Sequence, residues 1–481
     1  AYTKAENAKN NDNASLEELT NAKTDLENSI SSSSNKKDEF DNQHRDLVNS
    51  YSSLKTLVDN KSSVLDQLSD NDYAFLKNNL EKLYTNGESL LGMNLQDGTN
   101  NKEQFDQLKS KIEGITSNLE SSKQKAKDLI DGKFYPINEN LILPSDSTTA
   151  TNDSNVNDND KTNNIYTSGV SPTWKYAVRR FKENDTWKLL EHSKWIYKLG
   201  GEGSEYKVSF ENYSSNNLKL IFPYKIIHNS NKNNTVLKIK LNDINVAHNL
   251  TFNNIDDKQI LLAQINLTNV KFGQNTLSFS VDETDKVNPL IGNMYLTSSD
   301  DDTKIKDIVY KLNGQSEEVD GKIKIDISKA VGGSTRFDTY FEKIGSGENK
   351  HTILKRVGKY STSNAVVPRY TLAVYVPEAG NYNVGITYNQ SNYNSNAYIS
   401  VIKNNGEIQY SDDSQKIIVD SSKNNRTDAN GVKTIEPTIN NGINTIKLNL
   451  SKGWNNLAFG KGNNWFPNLE YLYLKKDNSS R

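Results

Sequence analysis

One arrangement of residues occurs twice in this chain, and it limits the architectures open to it. Thr445–Leu474, TIKLNLSKGWNNLAFGKGNNWFPNLEYLYL, reads as two strands and a carrier loop. Ile446, Leu448 and Leu450 alternate with polar neighbours, the period-2 pattern of a half-buried strand. Gly453 to Asn456 turns the chain, and Asn456–Phe459 starts it back. Gly460 to Pro467 is a Gly- and Asn-rich loop carrying Trp465 and Phe466, and Leu469, Tyr471 and Tyr473 alternate through the closing strand. Ile265–Leu296 has the same order of parts. Gly273-x-Asn275-x-Leu277-x-Phe279 stands beside Asn455, Leu457 and Phe459, and Pro289…Tyr295-Leu296 beside Pro467…Tyr473-Leu474. Two such copies, about 180 residues apart, imply two related β-domains in tandem.

The rest of the composition excludes several classes. A formal charge of −2, from 58 basic and 60 acidic residues, argues against a nucleic-acid binder, which usually carries a basic stripe. No run of eighteen apolar residues offers a membrane-spanning helix. Cysteine is absent, which removes disulfides, thiolate nucleophiles and Cys-based zinc sites. The first residues, AYTKAENAKNNDNAS, lack the apolar stretch of a signal peptide, so an exported protein of this kind is expected to have had its targeting segment removed.

Residues 1–132 differ in character from the remainder. Leu16, Leu19, Ala22, Leu26 and Ile30 recur at helical spacing, and Phe40 to Leu68, Leu76 to Leu90 and Phe105 to Ile130 make three further stripes. Ser15-x-x-Glu18 is a capping box for the first, and Ser31–Asn35 and Gly98–Asn101 are expected loops. Stripes one face wide predict an antiparallel helical bundle, either a partner-binding surface or a spacer. Residues 133–172 read as a linker. Pro136–Pro144 is expected to lie as an extended strap against a neighbour, and Ser145–Asn164 is too polar to bury. Asp153-x-Asn155-x-Asn157 begins like a calcium loop, but Asp158 and Asn164 stand where Gly and Glu are needed.

Trp174 to Gly201 is dense in aromatics with Arg179, Arg180 and Lys182 between them. Stacking on nucleic acid or a glycan is one reading, and packing a domain core the preferred one. Short alternating runs divided by Asn, Asp, Ser and Gly follow, the pattern of all-β sandwiches. They divide into residues 173–300 and 301–481, with Ser298–Thr303 as an acidic joint. No motif for a catalytic nucleophile, a phosphate loop, a dinucleotide or a metal is present in context, so neither enzyme activity nor a cofactor or metal ion is expected.

The C-terminal two thirds resembles the haemagglutinins of avian mycoplasmas, phase-variable surface lipoproteins. Tyr370–Tyr388 (YTLAVYVPEAGNYNVGITY), Leu448–Asn456 (LNLSKGWNN) and Pro289–Thr297 (PLIGNMYLT) carry the resemblance. The strands are also similar to galactose-binding-type carbohydrate modules, with Glu470 replacing the usual Asp in Asn468-Leu469-Glu470-Tyr471. The expected fold is therefore a helical bundle followed by two tandem β-sandwich domains of jelly-roll or galactose-binding-like type. The resemblance implies a lipid-anchored protein on the outer face of the bacterial membrane, whose lipidated Cys is missing from this sequence. Such a protein adheres to host cells and varies to escape host antibodies. A host glycoconjugate, sialylated or not, or a glycoprotein is the expected partner. The residues expected to hold a sugar are Trp465, Trp454 and Tyr393 for its CH face and Asn463, Asn464 and Asn468 for its hydroxyls. The alternative is a protein-binding or decoy surface with no sugar pocket.

Overall fold

A computed structural model of the chain describes residues 1–98, 101–143, 176–177, 180–190, 193–197, 199, 204–283, 285–333, 340–355, 357, 369–389, 394–409, 415–419, 430–459 and 465–478. Ser145–Asn164 and the calcium-like Asp153, Asn155 and Asn157 lie outside the described residues. Ala1–Ala126 and Lys127–Arg481 are two compact units.

The first unit is helical: α1 (Tyr2–Lys9), α2 (Leu16–Gln43), α3 (Arg45–Asp59), α4 (Lys61–Asp66), α5 (Ala74–Leu91), α6 (Lys102–Thr116) and α7 (Leu119–Asp131), of which the residues to Ala126 belong here. The capping box forms as the spacing requires, with Glu18 N–H donating to Ser15 Oγ at 3.2 Å and Ser15 N–H to Glu18 Oε2 at 2.8 Å. α3, α5 and α6 pack on one another and bury Leu54, Leu80, Tyr84, Phe105 and Ile112. Two expectations fail here. The break at Ser31–Asn35 does not occur, because serine lowers helix propensity by less than about 0.7 kcal/mol and no Gly or Pro interrupts the run. Nor does α2 share the core, for along its 28 residues only Ala22 is buried.

The second unit holds two β-sandwiches. In the first, one sheet runs Lys133–Tyr135, Met294–Thr297, Asn217–Lys225, Leu290–Ile291, Trp195–Ile196 and Tyr176–Ala177, and Leu261–Thr268 also pairs with Asn217–Lys225. The facing sheet runs Ile244–Asn245, Lys238–Leu241, Gly273–Ser280, Glu205–Asn212 and Ile142–Leu143. Phe210, Leu220, Phe222, Ile265, Leu277 and Phe279 fill the space between. In the second, Gly380–Asn389 pairs with Asn468–Lys476 and Lys447–Leu450. Its facing sheet runs Val331–Gly333, Arg369–Val376, Gly453–Phe459, Ile399–Ile402 and Ile408–Gln409. Leu372, Ile386, Leu448, Leu457, Phe459 and Leu472 belong to its core.

Strand for strand, the two sandwiches correspond. Gly273–Ser280 lies between Glu205–Asn212 and Lys238–Leu241, as Gly453–Phe459 lies between Arg369–Val376 and Ile399–Ile402. The duplicated sequence builds one device in both places. Gly273 and Gly453 take left-handed φ values of 82° and 94°, which glycine adopts without strain. Two residues on, Asn275 donates to the carbonyls of Lys271 and Gly273, both at 2.8 Å, and accepts from Lys271 N–H at 3.0 Å. Asn455 donates to Ser451 O at 2.8 Å and Gly453 O at 3.0 Å and accepts from Ser451 N–H at 3.1 Å. Each clamp fixes which residues of the following strand face inward: Leu277 and Phe279, or Leu457 and Phe459.

The structure departs from the expected divisions at three places. Within residues 133–172, Lys133–Tyr135 and Ile142–Leu143 are strands of the first sandwich, not linker, because Ile137 and Ile142 have an apolar interior to enter. The hairpin Arg180–Glu183 and Thr186–Leu189 joins the second sandwich, Phe181 pairing in parallel with Phe341. Its Asn184-Asp185 turn has φ of 48° and 61°, the doubly left-handed form that matches strand twist. The acidic joint is the start of a helix, α8 (Asp302–Asn313), capped by Asp301 Oδ1 accepting from Lys304 N–H at 2.9 Å and closed by Gly314 at φ 63°. Its Ile305, Ile308 and Leu312 cover Ile221 and Tyr295 on the outer side of the first sandwich.

Lys225 is fully buried at the end of its strand, donating to Ile226 O at 2.9 Å, with Asp257 and Asp256 facing it. Burial pushes its ammonium down to about 7, against the pull of those two carboxylates. Between about 7 and the ordinary 10.5 the unfolded chain binds a proton that the folded chain does not, so stability should climb with pH across that window. Lys225→Met should flatten the climb, its gain in melting temperature over the native chain being largest at or below pH 7; thermal melts across the window check this. Separately, Asn275→Ala and Asn455→Ala should each cost about 2–3 kcal/mol in urea unfolding, since the first removes four hydrogen bonds and the second three.

Candidate functional site

The residues expected to hold a ligand come to different places. Tyr393, Asn463 and Asn464 lie outside the described residues. Trp454 opens the Gly453–Phe459 strand and is half-buried where the two sandwiches meet, packed with Trp195, Tyr197, Ile260 and Leu290. Its indole N–H donates to Ile260 O at 2.6 Å. Asn456, on the same strand, accepts from Ile260 N–H and donates to Ile260 O, both at 2.9 Å. Gln259 reaches the carbonyls of Lys403 and Asn404 at 3.1 and 3.2 Å, and Thr371 donates to Lys258 O at 2.6 Å. Loop 255–260 of the first sandwich is thus strapped across the second, and Trp454 is part of the strap. That position gives Trp454 a packing role at the junction.

Trp465 stands elsewhere. Five residues separate Trp454 from Phe459, roughly 16 Å along an extended strand. Phe459 stacks on Phe466 at 5.8 Å between ring centroids, which anchors the carrier loop at its exit. Trp465 itself is half-buried and makes a parallel bridge to Ser395, its carbonyl accepting from Asn396 N–H at 2.9 Å. The base of the Gly460–Pro467 loop therefore touches the end of the Asn-rich run NQSNYNSN at 389–396. Asn468, half-buried, sits opposite Asn389 in the next strand. Asn389 donates to Asn430 O at 3.0 Å, and Asn430 to Asn349 O at 3.1 Å. An indole with amide side chains beside it can present a flat face to a sugar ring and hydrogen-bonding groups to its hydroxyls. Asn389 and Asn396 were not singled out individually in the sequence. The run NQSNYNSN at 389–396 was the available signal, diluted by the many asparagines elsewhere.

Glu470, the residue that departs from the galactose-binding pattern, faces no open surface. A bulge in the pairing, with Leu469 opposite Tyr388 and Tyr471 opposite Thr387, leaves it as the extra residue. It is buried, accepting from Thr352 N–H at 3.3 Å and paired with His351 Nδ1 at 2.8 Å. Burial pushes its carboxyl above the usual carboxylate range, with His351 pulling the other way. Nearby, the Lys324 ammonium lies 3.9 Å from the Tyr471 ring centre. Among the described residues no group of three His, Cys, Asp or Glu side chains could hold a metal ion, and no helix is long and apolar enough to cross a membrane.

The model of the family described as Mycoplasma haemagglutinin matches residues 119–259 and 255–361. Those segments take in the first sandwich, α8 and the opening of the second sandwich, and end before Trp465. Among solved structures, a family 35 carbohydrate binding module from Clostridium thermocellum is 14% identical, covering 32% of this chain and 98% of its own at a TM-score of 0.22. A family 35 module from Cellvibrio japonicus is also 14% identical, covering 33% of this chain and 94% of its own at 0.22. An isomalto-dextranase of Arthrobacter globiformis, complexed with panose, is 12% identical and covers 62% of this chain but 36% of its own, at 0.24. No curated protein matches.

Because Trp454 fastens the junction, Trp454→Phe, which keeps a ring and removes only the N–H donor, should cost about 1 kcal/mol in urea unfolding. It should leave any glycan signal of the full chain unchanged.

Proposed function

The chain belongs to the Mycoplasma haemagglutinin family, and on that premise we propose that it is a non-catalytic surface adhesin that attaches to a host cell by binding a glycoconjugate. The family match carries the reading: it implies display at the cell surface and adhesion as the task. Trp465 is the residue to which this reading assigns the glycan: its indole is half-buried, and Asn468, three residues on, is half-buried opposite Asn389. Trp465 would lie against the CH face of a sugar ring, and the amides would distinguish its hydroxyl pattern. Sialylated and neutral host glycans are both within this proposal, as is anchoring by a lipid outside this sequence. Variation of the Asn-rich loops would change what antibodies meet while leaving the clamped strands intact.

A protein partner is the second reading, favoured by α2. Leu16 is 81% exposed, Leu19 40% and Ile30 61%, an apolar stripe uncovered along a long helix. A glycan array and a haemagglutination assay on the full chain separate the two. The adhesin reading expects array signal and agglutination, both reduced roughly tenfold or more by Trp465→Ala, the effect of losing a ring contact and its ordered neighbours. Agglutination with no array signal, lost instead by Leu16→Ser/Ile30→Ser, would move the function to α2.

A further inference from the structure

The first sandwich carries an open cleft where long, paired side chains cross the equivalent surface of the second. Register alone sets the comparison. Leu296 lies opposite Leu220, and its counterpart Leu474 opposite Val384. Leu218 then corresponds to Tyr382, and their partners Leu267 and Leu448 correspond as well. One residue to either side, Asn266 matches Lys447 and Thr268 matches Asn449, while Thr297 matches Lys475 and, two residues past Leu296, Ser298 matches Lys476. In the second sandwich these long side chains tie the surface together. Lys447 pairs with Asp477 at 2.5 Å, Asn449 donates to Asn381 at 3.0 Å, Lys475 pairs with Asp320 at 3.1 Å, and Lys476 pairs with Glu378. In the first, short side chains stand at the same positions, and a cleft of about 360 Å³ remains, within the range of small-molecule sites.

The placement of α8 explains why the cleft stays open. Residues 217, 219 and 221, like 266 and 268, alternate with buried Leu218, Leu220 and Leu267, so they share the outer face of the sheet. α8 covers that face over Ile221 and Tyr295. Asn217, Asn266 and Thr268 remain exposed beyond it.

We propose that this cleft, on the outer face of the first sandwich at Asn217, Asn266, Thr268 and Ser298, binds a neutral pyranose, the terminal sugar of a glycan. The chemistry of its lining points there. Lys219 and Asp300 neutralise one another across it at 2.9 Å, so it favours neither an anion nor a cation. Its other polar side chains are hydroxyls and primary amides, each able to donate and to accept at close spacing, which is what adjacent sugar hydroxyls require. Among the described residues no aromatic ring lines it, so recognition falls on the hydroxyls and not on the ring face. The cleft also lies inside the segments shared with the family, unlike the Trp465 corner. The inference deepens the glycan-binding reading and rests on it for its biological sense.

The test is titration calorimetry, with saturation-transfer NMR, of the full chain against the methyl glycosides of galactose, glucose and mannose, and against N-acetylneuraminic acid. At least one neutral glycoside should bind. Thr268→Lys/Ser298→Lys, which installs long side chains like those of the second sandwich, should abolish that binding. Asn266→Ala, at an exposed position with no packing role, should weaken it roughly tenfold. Trp465→Ala should leave it unchanged. Absence of binding by every neutral glycoside, a preference for N-acetylneuraminic acid alone, or undiminished affinity in both cleft variants would overturn the proposal. A native chain that agglutinates cells while no glycoside binds it would sink the cleft and leave the adhesin reading standing. A native chain that agglutinates no cells yet binds a glycoside in the cleft would do the reverse.

Discussion

Both sandwiches depend on a glycine in the left-handed region followed two residues later by an asparagine that folds back on the turn. Because side chains alternate along a strand, a slip of one residue would turn Leu277 and Phe279, or Leu457 and Phe459, from core to solvent. The glycine lets the chain reverse without a Cβ clash, and the amide then satisfies carbonyls and an N–H that the reversal leaves outside the ladder. Each clamped strand is the centre of its sheet, so the strands on either side inherit its register. The whole second unit is thereby set by two short, nearly identical hydrogen-bond patterns.

Duplication allowed the copies to diverge where the clamp does not reach. Thr276 in the first copy is an ordinary strand residue, whereas Asn456 in the second grips both backbone groups of Ile260. Trp454, one residue past the second clamp's glycine, adds a third bond to the same peptide. The junction is polar at its centre and apolar at its margin, where Trp195, Val331 and Ala373 meet. A loop held by paired hydrogen bonds in such surroundings is costly to release, since each group would be left buried and unpaired. The buried Lys225, facing Asp256 and Asp257 of the same loop, adds an electrostatic constraint to it.

Much of this was legible in the residues. The alternation of Leu448 and Leu450, the matching of Gly273 with Gly453 and the Ser15 capping box all report local geometry, and local geometry is what periodicity and cap chemistry encode. The helix Asp302–Asn313 was missed although Asp301, Ile305, Ile308, Leu312 and Gly314 spell its cap, its stripe and its stop. Strand signals on both sides and three consecutive aspartates obscured them. Trp454 was read as a ligand face because a tryptophan in a Gly–Asn turn looks exposed until a second domain is placed against it. The pairing of Ser395 with Trp465, by contrast, joins segments some seventy residues apart that no local pattern links.

The sequence by itself determined the division between helical and β regions, the two-fold repetition, the inward and outward faces of the main strands, and the resemblance to surface adhesins. These follow from short-range patterns of apolar residues and turn formers, which act within one element or between neighbours. Tertiary structure alone decided that the Arg180–Leu189 hairpin serves the other sandwich, that Trp454 fastens a junction, and that one copy keeps a cleft which the other fills. Those outcomes depend on which distant surfaces come into contact, and burial energy is shared among partners whose identity no local pattern specifies.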